Sequence, residues 1–125
     1  MVVCVSEVSR LSVIVAAREF ETFVPRFQNA LQQVLEEIGI PAATIEKERK
    51  EMNDVAFAHT KNRSVLGTMN DFFFQLRWAL KERPDFSPLD HALSLSRIPV
   101  GPYPHYRIPA DETRAVMEFQ GRTPI

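Results

Sequence analysis

Apolar residues recur at helical spacing through residues 60–82, TKNRSVLGTMNDFFFQLRWALKE, the longest such stretch in the chain. At about 100° per residue, Ala79, Phe72, Val65, Leu76, Met69, Leu80, Phe73 and Leu66 share one arc, and the pattern predicts a core face there. Next come Arg77, Asn70, Arg63 and Lys81, then a narrow apolar strip of Phe74, Gly67 and Trp78, then Asp71, Ser64, Glu82, Gln75 and Thr68. A surface helix needs a single apolar stripe. The second strip therefore requires a cover, either the chain's own C-terminal part or a partner.

The remaining pattern predicts shorter elements. Within residues 2–17 the β-branched runs VVCV and LSVIVAA flank SEVSR and predict a hairpin, whose second strand lacks alternation and is expected to be buried on both faces. Phe23, Phe27, Leu31, Val34, Leu35 and Ile38 predict a helix with Thr22 as N-cap and Gly39 as stop. Pro41 opens a solvated helix to about Met52, and residues 54–60 suggest a short strand with Val55, Phe57 and His59 on one face. Ser87, Pro88 and Asp90 form a capping-box pattern for a helix to about Leu95. RIPVGPYPHYRIP holds four of the nine prolines and predicts an extended crossing over the domain. A last helix is expected over residues 110–119, ended by Gly121, with 121–125 a frayed tail.

These elements amount to an α+β fold: a small antiparallel or mixed sheet packed around a long central helix at about residues 62–82, with shorter helices around it. A length of 125 residues suits one domain, 1–125, with a core large enough to need neither disulfide nor metal. The net charge of -1 gives no global electrostatic case for nucleic acid and leaves only a local basic patch open. Cys4 is the single cysteine, and neither a signal peptide nor a membrane-length apolar run is present, so a cytoplasmic location is expected.

The run NRSVLGTMND, residues 62–71, preceded by VAFAHT, resembles a family of uncharacterised bacterial proteins, some plasmid-borne, known as a domain of unknown function. Their motif is Asn-Arg-Ser-Val-Leu-Gly-Ser-Met-Asn-Asp, and here Thr68 replaces the second Ser. The resemblance extends back through AREFETFVPRF and the Leu-rich helix ending in GIP, and forward to RIPVGPYPHYRIP. It implies an additional N-terminal strand that this chain, starting directly in its hairpin, would lack. It implies no activity.

Two candidate sites lie on the long helix. Thr60 or Asn62 could cap its start, leaving N–H groups of Arg63 and Ser64 beside His59 and Lys61 as an anion site. The alternative is an ordinary helix start in which Arg63 pairs with an acid such as Asp54. Gly67, Asn70, Phe74, Arg77 and Trp78 form the second candidate, an interaction surface for a protein partner or a second copy. Arg63, Asn70 and Arg77 could equally track a phosphate backbone with Phe74 and Trp78 as stacking surfaces. A further alternative has Asn70 and Arg77 bonding to the proline-rich crossing while Phe74 and Trp78 pack against Tyr103 or Tyr106, with Gly67 admitting that backbone. No catalytic set is expected, because Ser64 and Asp71 lie two helical turns apart and His59 cannot be placed between them by spacing. His59, His91 and His105 lack metal-ligand spacing, Asp90 and His91 are expected to be a first-turn acid and a surface histidine, and no cofactor is expected.

Overall fold

Branched side chains lose rotamer freedom in a helix and pack well on a pleated surface. The two β-branched runs accordingly pair as strands. In the computed structural model, which describes residues 1–51, 63–101 and 104–122, β1 (Val2–Val5) and β2 (Ser12–Val15) form an antiparallel hairpin with Val3 opposite Ile14 and Cys4 opposite Val13. The connection closes through Ser6 N–H to Leu11 O at 2.8 Å and Arg10 N–H to Ser6 O at 3.0 Å. Every residue of β2 is buried. The reason is that helices α1 (Phe23–Glu37) and α4 (Pro88–Leu95) pack on it.

Local chemistry sets most helix ends. Gly39 takes a φ of 89°, a left-handed conformation that stops α1 and lets Ile40 N–H reach Leu35 O at 3.0 Å. Pro41 precedes α2 (Ala42–Glu51) and its carbonyl accepts from Thr44 and Ile45 N–H. Ser87 caps α4 reciprocally with Asp90: Asp90 N–H donates to Ser87 Oγ at 3.1 Å and Ser87 N–H to Asp90 Oδ2 at 3.0 Å. The longest helix, α3 (Arg63–Glu82), packs on α4 and β1, and α5 (Pro109–Arg122) closes the order. The fold is therefore α+β, with a two-stranded antiparallel sheet and five α-helices among the described residues. One apolar cluster joins Val13, Ile14 and Val15 of β2 to Val34 and Leu35 of α1, Phe72 and Leu76 of α3, and Ala92 and Leu95 of α4.

Several expectations are corrected. Thr22 occupies the N-cap of α1 without a capping bond, because its hydroxyl donates to Glu19 O and accepts from Arg26 Nε at 3.1 Å. Arg26 also donates to Ala16 O at 2.6 Å and Glu19 O at 3.0 Å, so one guanidinium ties the segment after β2 to α1. The proline-rich segment turns back on itself instead of crossing extended. Val100 and Arg107 exchange two backbone hydrogen bonds of 2.7 Å, and Gly101 has a φ of 113° where an added Cβ would meet His105 O at 2.9 Å. Helix α5 continues through Gly121 to Arg122, past the stop expected at Gly121. His91 is buried against Phe86, with ring centroids 5.4 Å apart, and is not a surface residue. The strand expected at 54–60 and the end of the tail at 123–125 lie outside the described residues.

Candidate functional site

Helix α3 buries a narrower stripe than its apolar pattern predicts. Val65, Thr68, Phe72 and Leu76 are buried, flanked by half-buried Met69 and Ala79. Leu66, Phe73 and Leu80, expected in the core, are 40%, 46% and 41% exposed. They sit at the edge of the arc, whose centre is the buried part where α3 packs with β1 and α4. Thr68, expected on the polar side, is buried with its hydroxyl donating to Ser64 O at 3.2 Å.

Phe74 is 73% exposed and Trp78 56% exposed. Round the helix from Leu80, Phe73 and Leu66, through Arg77, Asn70, Arg63 and Lys81, to Phe74, Gly67 and Trp78, every residue is exposed over nearly half the circumference. A groove of about 500 Å³ runs along this face, lined by Met1, Asn70, Phe73, Phe74, Arg77 and Leu80 among others. Backbone packing at Gly67 is not found, since nothing described lies within 4 Å of the position a Cβ would take. Among the described residues, Asn70 and Arg77 make no hydrogen bond to the proline-rich segment. Tyr103 lies outside the described residues and Tyr106 is itself 56% exposed.

At the start of α3, His59, Lys61 and Asn62 fall outside the described residues, which leaves Arg63 and Ser64, both exposed. The residue that pattern reasoning missed is Arg10. It is buried, takes a φ of 64°, and its guanidinium donates to Glu7 O and, at 3.0 Å, to Ser64 Oγ. Arg10 thus fastens the hairpin turn to the first turn of α3. No periodicity announces such a contact across 54 positions.

Other concave places offer little chemistry. A cavity of about 290 Å³ is bordered by Cys4, Leu11, Phe27, Leu31, Thr113 and Met117 among others. Its hydroxyls serve local backbone bonds: Thr113 Oγ1 donates to Pro109 O and Ser9 Oγ accepts from Leu11 N–H. Burial pushes the Cys4 thiol above its ordinary value of 9.0, which keeps it protonated and a weak nucleophile. Among the described residues, Ser12 Oγ and His91 Nδ1 are buried without hydrogen-bond partners. Among the described residues no group of three His, Cys, Asp or Glu side chains could hold a metal ion, and no helix is long and apolar enough to cross a membrane.

The exposed face of α3 therefore offers contact area, with Arg63, Asn70, Arg77 and Lys81 between its apolar residues. Neither the curated proteins nor the solved structures contain a significant match to the chain. A family model, described as domain of unknown function DUF6933, matches residues 1–112. With nearly its whole length matched, the chain belongs to the DUF6933 family.

Proposed function

We propose that this protein is a non-enzymatic interaction module that docks another polypeptide on the exposed face of α3. The observation that carries the reading is the exposure of Phe74 and Trp78, at 73% and 56%, on a helix whose opposite side is in the core. Isolated exposed apolar residues are ordinary, whereas five large ones on one helix face, beside a groove, are what binding surfaces present. Aromatic side chains such as these supply most of the contact energy at interfaces. The proposal treats residues 1–125 as one domain, acting in the cytoplasm without a cofactor, and the resemblance carried by residues 62–71 favours a bacterial or plasmid setting. A photo-crosslinking amino acid placed at Trp78 tests it in the producing cells. A discrete polypeptide adduct, lost on Phe74→Ser, is expected, and the absence of any Phe74-dependent adduct would refute the proposal.

A further inference from the structure

The charge on the α3 face says what kind of polypeptide it fits, an inference that rests on the interaction reading above. Two apolar rows run along the helix, Leu66, Phe73 and Leu80 on one side and Phe74 and Trp78 on the other, with Arg63, Arg77 and Lys81 between them. No acidic residue of α3 lies on this arc. Asp71 and Glu82 fall beyond Trp78. Among the described residues the side chains of Arg77 and Lys81 have neither a hydrogen bond nor an ion pair.

A partner covering both apolar rows must cover the cations as well. Taking a guanidinium out of water against an apolar surface is costly unless a carboxylate meets it. A second copy of this chain cannot supply one there. In a two-fold pair of these faces, parallel or antiparallel, the middle of the face meets the middle of the same face, so the row of Arg63, Arg77 and Lys81 would confront the same cationic row of the copy. A nucleic acid would match the cations but would leave the aliphatic side chains of Leu66 and Leu80 without a stacking partner, and it would approach a chain of net charge -1. We infer that the face binds an acidic amphipathic helix, with apolar anchors straddling the cationic row and Asp or Glu side chains set against Arg77 and Lys81. Gly67, with no described residue within 4 Å of the place a Cβ would take, is where that helix can come closest. The apolar row repeats every seven residues, which matches the one-sided spacing of such a partner.

Trp78 is the only tryptophan in the chain and is its own reporter. The full-length protein is titrated with a synthetic helical peptide carrying Leu anchors at i, i+3, i+4 and i+7 and Glu elsewhere. The same peptide with Lys for Glu and a single-stranded oligonucleotide are titrated alongside. The acidic peptide is expected to shift Trp78 emission to the blue and saturate. Arg77→Glu should weaken binding about tenfold without changing the melting temperature, and the Lys peptide should not bind. Equal binding of both peptides, or no saturable binding of the acidic one, would overturn the inference. So would an oligonucleotide that displaces the peptide, or a dimer in light scattering that Phe74→Ser dissociates. If the Lys peptide binds while the crosslink at Trp78 still forms, the acidic-partner inference alone is lost. Loss of the crosslink removes the interaction reading with it.

Discussion

Two phenylalanines of α3, two positions apart, provide the sharpest test of which face is covered in solution. Phe72 is fully buried, whereas Phe74, two positions on, is 73% exposed. Truncating Phe72 to Ala removes its transfer energy and leaves a cavity in the core cluster to which it belongs, at a cost of about 3–5 kcal/mol. Fully burying a Phe is worth about 2–3 kcal/mol. At the exposure of Phe74 only about a quarter of that, roughly 0.6 kcal/mol, is at stake. The better helix propensity of Ala returns a few tenths of that, roughly. Urea denaturation followed at 222 nm should therefore separate the two variants by about 3 kcal/mol or more, with Phe74→Ala close to wild type. Equal destabilisation would mean that the chain's own residues bury Phe74 in solution. The docking face would then not exist.

Other expectations follow from single contacts. Gly67→Ala meets nothing described within 4 Å and should raise stability by about 0.5–1 kcal/mol in thermal melts while weakening peptide binding, because it fills the place of closest approach. Arg26→Ala removes donors to Ala16 O, Glu19 O and Thr22 Oγ1 and should cost about 1–3 kcal/mol in the same denaturation assay. Arg26→Lys should not restore it, since one ammonium cannot reproduce the three-way fork. The Cys4 thiol titrates near 9.0 in the unfolded chain and higher when folded, so above that pH the native state binds more protons than the unfolded one. Stability should fall as pH rises through this window, and Cys4→Ala should flatten the slope.

Sequence alone determined those features whose cause is local. Ser87, Pro88 and Asp90 form a cap whatever surrounds them, and Gly39 stops α1 because a left-handed φ strains any residue with a Cβ. The two β-branched runs paired as read, and the lack of alternation in residues 11–16 marked burial on both faces, which holds for residues 11–15 while Ala16 is half-buried. The tertiary structure decided which apolar residues of α3 are covered. Helical periodicity orders Leu66, Phe73 and Leu80 beside Leu76 and Phe72, but among these only Leu76 and Phe72 leave water, on a helix that packs with β1 and α4. Arg10 likewise joins the hairpin to Ser64 across 54 positions, through a positive φ that no pattern of hydrophobic and polar residues encodes. Spacing along a helix fixes the angle at which a side chain emerges, and whether that angle meets the protein or the solvent depends on how many neighbours pack there.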